Sequence, residues 1–466
     1  MGLIRSLTIG TSSLISHQSK FDTISNNLAN ASTFGYKSDR ANFADQFSQT
    51  KTRGKASDSA AKYNNGGIDP LQFGLGVKLA SISRDFSQGV IEATNRPLDV
   101  ALQGNGFFIV TYNGQQRFTR NGTFTRDNDG FIVDSNTGAF VQGYNVATDA
   151  NGLAQRTSDG SNILDRTLTN INIPYNTVSL PRQSQEITLR GNLNAEANPG
   201  YDSTRKTSMT IYDSSGAART LSFTFQKTEV QDEWIFAIEL DGVLQAGTEG
   251  DIYLHPTDPT QTMQAFGRLT FAPDGTIDEL IPPNPSALRP FAVFLPGGTF
   301  VDENGNVEKF PMDIQVQFAA PNNLSQGLKQ YSADSNANFE SQDGWTLGDL
   351  ENMEVDSLGR ILGEFTNGQT EILGQIAMAR FANDGGLTRT GNNYYSQAPN
   401  SGDPVIGTAV EIFGTTMVVG RSLEMSNVDL TAQFTEMIST QRAFEAASRT
   451  VTVSDTLLQE INQLKR

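Results

Sequence analysis

The sequence predicts a mostly β protein with α-helical termini. Two long segments with an apolar residue at every seventh position lie at the two ends of the chain, and neither contains a proline. Between them, apolar residues alternate with polar ones and are separated by Asn-Gly and Asp-Gly turns, as in antiparallel strands. Glycine is abundant, at 43 of 466 residues. We expect a two-helix, coiled-coil-like unit followed outward by antiparallel β domains of the barrel or sandwich type, nested by insertion.

Residues 1–30 predict the first helix. Its apolar residues recur seven positions apart in one column, and the column offset by four positions is mostly polar. The apolar column consists of Leu7, Leu14, Phe21 and Leu28. The helix is expected to end in the run Asn26–Asn30, because Asn and the following Gly35 favour helix C-termini.

Residues 31–90 predict an irregular, loop-rich connector. Glycine and turn-forming pairs are frequent there, and no regular apolar period is visible. The connector also contains a local basic run, which we expect to be a solvated loop. This run consists of Lys51, Arg53, Lys55 and Lys62, with Asp58 among them.

An inner β domain is predicted from residues 91–145 together with residues 345–412. The apolar run Phe107–Val110 predicts a short strand. Asn121-Gly122 lies between two phenylalanines and predicts a hairpin, and Asp129-Gly130 predicts a second turn.

Residues 146–344 predict an inserted outer domain that is entirely β. Apolar residues alternate with polar ones over three segments, and no helical period of any length is present. The alternating residues are Leu221, Phe223 and Phe225, then Trp234, Phe236, Ile238 and Leu240, then Ile314, Val316 and Phe318.

Residues 425–466 predict the second terminal helix, of roughly 35 residues or about 50 Å. Ser426-x-x-Asp429 is a capping-box-like start. The apolar column of this helix consists of Leu430, Met437, Phe444, Val451 and Leu458. Since an amphipathic helix needs a partner for its apolar face, we expect the two helices to pair and also to pack against neighbouring subunits. The two apolar columns are the predicted polymer interface.

Composition argues against several classes of function. The net charge of −17 argues against nucleic acid and anionic membranes as partners, and no run of about 20 apolar residues is present to span a bilayer. Without cysteine, the chain has no disulfides and no thiolate chemistry. The two histidines, His17 and His255, cannot form a His-rich metal site and are expected to be surface or interface residues. Nucleotide-binding loops, zinc-protease motifs and G-x-S-x-G are absent, so we expect no enzyme, no cofactor and no metal.

The N-terminus does not read as a secretory signal peptide. Polar residues interrupt its apolar residues before Ile15, and a signal peptide needs a continuous apolar core. If the protein works outside the cell, we expect it to be exported without a cleaved peptide.

Three motifs resemble those of the axial proteins of the bacterial flagellum, the rod and hook family. The first is similar to the signature N-L-A-N-x-x-T-x-G-Y-K and comprises Asn27, Leu28, Ala29, Asn30, Thr33, Gly35, Tyr36 and Lys37. The second is similar to the segment L-D-x-A-(I/L)-x-G-x-G-F-F and includes Gly104, Gly106, Phe107 and Phe108. The third, residues 420–430 with 441–445, resembles the entry to the terminal helix of that family. The resemblance covers about residues 1–145 and 345–466, and no motif of the insert matches.

Length separates the members of this family. Distal rod proteins resemble the two ends of this chain with little insert, so the long insert favours the hook. The resemblance implies a structural subunit that polymerises with itself into a curved, hollow tube. That tube would act as a flexible universal joint that transmits torque from the basal-body rod to the filament. The terminal helices would line its inner wall, the inner β domain would form a middle layer, and the insert would lie outside.

The resemblance also implies partners and a location. Besides copies of itself, the chain would contact the distal rod protein, the hook–filament junction protein, the hook cap and the flagellar type III export apparatus. It would be located in the flagellar hook at the cell exterior. Two alternatives stay open. One is another axial protein, such as the distal rod, in a straight and rigid shaft. The other is a secreted β-rich carbohydrate-active enzyme, which would be a monomer with a ligand-filled cleft.

Overall fold

The computed structural model describes residues 2–55, 67–149, 154–157, 161–244, 250–254, 261–281, 292–295, 298–301, 307–310, 314–319, 327–409, 414 and 416–464. His255, Asp58 and Lys62 lie outside the described residues. The chain divides into two compact units. The first comprises Met1–Tyr175, Asn352–Glu364 and Thr370–Arg466, and the second comprises Asn176–Glu351 and Phe365–Gln369. Neither α-helix in the described ranges is long and apolar enough to cross a membrane.

The two predicted terminal helices are confirmed. Helix α1 spans Gly2–Ala29, and helix α2 spans Leu430–Leu464, a length of 35 residues. The start of α2 differs from the predicted capping box. Asp429 is itself the N-cap, because its Oδ1 accepts hydrogen bonds from the backbone N–H of Thr431 at 2.8 Å and of Ala432 at 3.1 Å.

The connector is not irregular. Residues 39–55 and 67–84 form the two sides of a long antiparallel ribbon, in which β1 pairs with β4 and β2 pairs with β3. Because much of the ribbon is exposed on both faces, its sequence lacks the apolar alternation that predicts a half-buried strand. The strands of the connector are β1 Asp39–Asp45, β2 Ser48–Thr52, β3 Leu71–Gly74, β4 Val77–Arg84 and β5 Ile91–Ala93.

The first half of the inner β domain contains one hairpin at a place that was not predicted. Asn113 and Gly114, with φ of 50° and 72°, form the two-residue turn between β7 and β8. The hairpin predicted at Asn121-Gly122 is wrong. Gly122 instead lies against Val100, where an added Cβ would be 1.8 Å from the Val100 carbonyl oxygen. The strands here are β6 Val100–Gln103, β7 Phe107–Tyr112, β8 Gln115–Thr119, β9 Phe124–Arg126, β10 Ile132–Asp134, β11 Phe140–Asn145 and β12 Thr169–Asn170.

The second unit has an apolar core built by the alternation that the sequence predicts. In the pair formed by β16 and β17, Phe223 lies opposite Ile238 and Phe225 opposite Phe236, and all ten predicted residues are buried in one cluster. Strand β14 is an exception to the antiparallel pattern, since it runs parallel to β26 and β27. A 3-10 turn lies at Tyr201–Ser203. The strands are β13 Val178–Ser179, β14 Glu186–Asn194, β15 Arg205–Tyr212, β16 Ala218–Lys227, β17 Glu233–Leu240, β18 Val243–Leu244, β19 Asp251–Tyr253, β20 Thr262–Gln264, β21 Gly267–Phe271, β22 Ile277–Ile281, β23 Ala292–Leu295, β24 Gly298–Val301, β25 Val307–Phe310, β26 Ile314–Gln317, β27 Leu328–Tyr331 and β28 Asn338–Gln342.

The returning chain pairs with the outgoing chain, as expected for nesting by insertion. Strand β31 pairs with β11, β32 with β7, β34 with β8, β36 with β6 and β37 with β5. The first unit extends to Tyr175, beyond the sequence-based boundary at 145, because β12 pairs with β11. A 3-10 turn lies at Asp384–Gly386. The returning strands are β29 Gly348–Val355, β30 Arg360–Phe365, β31 Thr370–Ile376, β32 Met378–Arg380, β33 Thr388–Gly391, β34 Tyr394–Ser396, β35 Val405–Gly407, β36 Met417–Gly420 and β37 Ser422–Glu424.

Candidate assembly interface

Helices α1 and α2 pack against each other in antiparallel orientation. Near one end, Ser6 Oγ lies 3.1 Å from Ser454 Oγ. Near the other, Lys20 Nζ lies 2.7 Å from Glu436 Oε1, and Asn27 Nδ2 donates to Gln433 Oε1 at 3.2 Å. Rising residue numbers in α1 therefore face falling numbers in α2.

The contact line between α1 and α2, here called the seam, is formed largely by small side chains. The residues of α2 that are buried, among those whose side chains the structure describes, are Thr440, Ala447 and Ser454. On α1, Gly10 faces Val451, and an added Cβ at Gly10 would lie 2.8 Å from Val451 Cγ2. Such residues let the two helices approach closely while burying little apolar area.

The predicted interface residues divide into two groups in the structure. Leu430 and Phe444 are exposed, at 48% and 42%. The others are partly buried: Leu7, Leu14, Phe21, Leu28, Met437, Val451 and Leu458. Thr440 and Ser454 were not predicted to lie in the seam, because they are polar and are offset from the apolar column by three positions.

Large apolar side chains remain exposed on both flanks of α2. Consecutive residues of an α-helix are rotated by about 100° around its axis. This rotation places one group of these side chains on one side of the seam and a second group on the other side. The first flank consists of Leu430, Phe434 and Ile438, and the second flank consists of Val453, Leu457 and Ile461. Only the position of the seam separates these residues into two flanks.

Gly10→Val is expected to push the two helices apart. The new side chain has no room against Val451, and overpacking of this kind costs about 1–3 kcal/mol. Hydrogen exchange of the α1 and α2 amides should become faster. Thr8→Val, at an exposed position of the same helix, is the control and should leave exchange unchanged. Equal exchange rates in the two variants would contradict the close approach.

An open groove of about 500 Å³ runs along one side of the helix pair. His17, Phe21, Thr440 and Phe444 are among the residues that line it. Burial lowers the pKa of His17, and the nearby Lys20 lowers it further. His17 is therefore a partly buried residue of the groove, with its ring 6.0 Å from that of Phe43.

The residues of the first family motif connect the end of α1 to the ribbon. Asn27 Nδ2 donates to the Asp39 carbonyl at 2.8 Å, and Asn27 Oδ1 accepts from the Asp39 N–H at 2.9 Å. Asn30 Nδ2 donates to the Asn26 carbonyl at 2.8 Å, and Thr33 Oγ1 donates to Asn30 Oδ1 at 3.3 Å. Leu28 is partly buried and Ala29 is exposed. The motif thus fixes how the chain leaves the helix.

The same motif continues into the β domain. Gly35 has a φ of 65°, where a side chain is strained, and its N–H donates to the Glu424 carbonyl at 2.7 Å. Tyr36 is 1% exposed, and the Arg389 guanidinium lies 4.5 Å from its ring centre. The motif therefore holds the outgoing chain against the segment that precedes α2.

A buried ion cluster, formed by Lys37, Arg120 and Glu424, lies at this junction. Lys37 Nζ lies 2.6 Å from Glu424 Oε1 and also donates to the Ser87 carbonyl at 2.7 Å. Arg120 Nη1 lies 3.4 Å from Glu424 Oε2, and the Gly89 N–H donates to Glu424 Oε1 at 2.9 Å. Burial lowers the pKa of the Lys37 ammonium, and the Glu424 carboxylate opposes this shift.

The ion cluster was not predicted as a unit. Lys37 and Glu424 fall within family motifs, but Arg120 does not, and the three residues are far apart in sequence. The side chains of Lys37 and Glu424 are fully buried, and such a residue is usually paired. The cluster joins the outgoing chain, the inner β domain and the returning chain at one point.

The second motif is part of the core of the inner β domain. Gly104 and Gly106 have φ of 111° and 128°, so both need the freedom of glycine. Phe107 and Phe108 are fully buried. Phe107 packs in the cluster that also contains Phe381 and Tyr395 of the returning chain. This motif therefore has a folding role.

Four family models match the chain. They are described as flagella basal body rod protein (residues 7–37), flagellar hook protein FlgE/F/G D1 domain (101–194), flagellar basal body protein FlaE D2 domain (183–345) and flagellar basal body rod FlgEFG protein C-terminal (419–464). The insert, for which no resemblance was predicted, is matched by two of these models.

Curated relatives align along the whole chain. The flagellar hook protein FlgE of Treponema pallidum is 33% identical over 485 residues, covering 100% of each chain. The protein of the same name from Borreliella burgdorferi is 31% identical and covers 99% of this chain and 100% of its own. The crystal structure of Helicobacter pylori flagellar hook protein FlgE2 is 16% identical, covers 68% of this chain and 96% of that chain, and has a TM-score of 0.45.

Proposed function

Because this chain belongs to the flagellar hook protein family, we propose that it is a structural subunit of the flagellar hook and polymerises with copies of itself. The single observation that carries the assembly mechanism is the exposure of large apolar side chains on both flanks of α2. An isolated copy leaves this apolar surface in water, and contact with neighbouring helix pairs removes it from water at about 25 cal/mol per Å².

The two flanks support a continuous polymer. In an assembly of identical copies without a two-fold axis, one face of each copy meets a different face of the next, and a rotation that does not close produces a helical array. The first flank and the second flank of α2 provide two different faces. The helix pairs line the wall of a hollow tube, and the predicted apolar columns contribute residues to the contacts between neighbouring helix pairs.

The remaining properties of the hook follow from weaker contacts outside the helices. The chain has a net charge of −17, so the outer surfaces of neighbouring copies repel each other. Contacts there stay weak and can shift while the helices hold the tube together. The tube is curved, bends as it rotates, and transmits torque from the basal-body rod to the filament.

In the flagellum, the chain contacts other flagellar proteins. Its specific neighbours are the distal rod protein, the hook–filament junction protein and the hook cap. It reaches the cell exterior through the flagellar type III export apparatus, without a cleaved signal peptide. The absence of cysteine supports this route, since no disulfide has to form after an unfolded chain has been exported.

Electron microscopy of the purified, concentrated chain tests this proposal. Curved, hollow tubes are the expected result. Straight and rigid shafts would favour the distal rod as the site of action. A chain that stays monomeric at every concentration, or that turns over a glycan, would overturn the proposal.

Phe434→Ser is expected to raise the critical concentration for polymerisation about tenfold or more, because a large aromatic residue at an interface contributes on the order of 2 kcal/mol. Phe434 is 49% exposed in the single copy, so its loss costs the monomer little. Sedimentation of polymer against concentration measures the change. Thr435→Ser, at the adjacent exposed position, is the control. If both variants assemble like the wild type, the first flank is not an interface.

A further inference from the structure

The distal part of the connector ribbon, residues 46–55 and 67–76, forms a projecting arm. Its two strands remain paired out to Lys55 and Ile68, which exchange two backbone hydrogen bonds of 2.9 Å. The ribbon lies along α1: the Arg5 guanidinium is 4.9 Å from the Phe73 ring centre, and the Val77 N–H donates to Ser12 Oγ at 3.4 Å. The arm therefore points towards the N-terminal end of α1.

The arm is both apolar and basic on an acidic protein. Phe47 is 70% exposed, Ile68 63% and Leu71 47%. Lys51, Arg53 and Lys55 are exposed, no acidic residue occurs from position 46 to position 55, and residues 67–76 carry one exposed acidic residue, Asp69. A two-stranded ribbon without a covered face is only marginally stable in water, so the arm gains stability from a surface that covers it.

The second flank of α2 has the complementary chemistry. Val453 is 57% exposed and Leu457 is 41% exposed, with Ile461 beside them at 47%. Glu460 is exposed three positions after Leu457, on the same side of the helix, and no basic residue occurs from position 450 to position 462. The arm of the same copy leaves all of these residues uncovered.

The arm and the second flank lie at the same level along the helix pair. Phe73 of the arm contacts Arg5, while Ser6 contacts Ser454, next to Val453. A copy placed beside this one without a large axial shift therefore presents its second flank to the arm. The first flank lies near the opposite end, where Asn27 contacts Gln433, and its neighbour Arg442 is basic.

We propose that in the polymer the arm of one copy docks onto the second flank of α2 of a laterally adjacent copy. Phe47, Ile68 and Leu71 cover Val453, Leu457 and Ile461, and the basic residues of the arm lie near Glu460. This inference rests on the proposed function, since its occupant is a second copy of the chain. It gives Lys51, Arg53 and Lys55 of the arm a role in joining copies whose net charges repel each other.

Cysteine crosslinking tests the contact cleanly, because the natural chain contains no cysteine. Copies carrying Leu71→Cys are mixed with copies carrying Leu457→Cys, polymerised and oxidised, and disulfide-linked dimers are measured on a non-reducing gel. Dimers are expected in the polymer and not in dilute monomer. The matched control is Gln459→Cys, which is exposed at nearly the same height but on the opposite side of α2. Polymers in which Gln459→Cys links as well as Leu457→Cys would overturn the proposal.

A charge exchange provides a second test that needs no cysteine. Arg53→Glu is expected to raise the critical concentration about tenfold, and Glu460→Lys in the same chain should restore it. Arg166→Glu, at another exposed arginine, is the control and should have no effect. Assembly of Arg53→Glu at the wild-type concentration would reject the arm contact alone. Failure of the wild-type chain to polymerise would instead reject the proposed function, and the arm contact with it.

Discussion

Deletion of residues 430–466, which removes α2, is expected to abolish tube formation completely. The deletion removes both exposed flanks and leaves α1 without its antiparallel partner. The apolar cores of the two β units are formed by other residues and should stay folded. Electron microscopy and sedimentation measure the loss of tubes at concentrations where the wild-type chain assembles.

The control for this deletion is a chain that lacks only residues 463–466. It keeps both flanks of α2 and should form tubes. The only tryptophans, Trp234 and Trp345, lie in the second unit, so their fluorescence reports whether that unit is still folded after the deletion. Tubes formed by the chain without α2 would show that the helices are not the assembly interface.

Glu424→Gln is expected to destabilise the first unit by about 3–5 kcal/mol, because it leaves the buried cations Lys37 and Arg120 without their anion. The measurement is chemical denaturation followed by the helical circular dichroism signal, which arises from α1 and α2 in the first unit. The tryptophan fluorescence of the second unit should keep its wild-type midpoint.

Glu354→Gln is the matched control for this prediction. Glu354 pairs with Arg421 at 3.3 Å in the same unit, but both side chains are exposed. An exposed pair of this kind contributes about 0–1 kcal/mol, so the same substitution should have little effect. If the two variants lose equal stability, burial of the ion cluster does not explain its contribution to the stability of the first unit.

The sequence predicted the elements that bury one face. The sevenfold apolar columns predicted both terminal helices, because a helix packed along one side must repeat its apolar residues at that spacing. The alternation of residues such as Phe223 and Phe225 predicted the strands of the second unit for the same reason. Where a helix or strand buries only one face, the spacing of its apolar residues is sufficient to predict it.

The sequence did not predict the elements whose signal depends on distant parts of the chain. Both Asn113-Gly114 and Asn121-Gly122 have the composition of a hairpin turn, and only the approach of Val100 explains why the second is not one. Strands β2 and β3 of the ribbon are exposed along their whole length and so have no alternation. The ion cluster of Lys37, Arg120 and Glu424 exists only after residues hundreds of positions apart have been brought together.

The pairing of outgoing and returning strands determines how the protein carries a tensile load. Strand β5, which follows the ribbon after α1, pairs antiparallel with β37, the last strand before α2, and β6 pairs antiparallel with β36. A pull that moves both chain ends together along these strands loads the two partners of each ladder alike and does not slide them past each other. A pull that separates the two chain ends instead opens the ladders one hydrogen bond at a time, and each bond contributes about 0.5–1.5 kcal/mol.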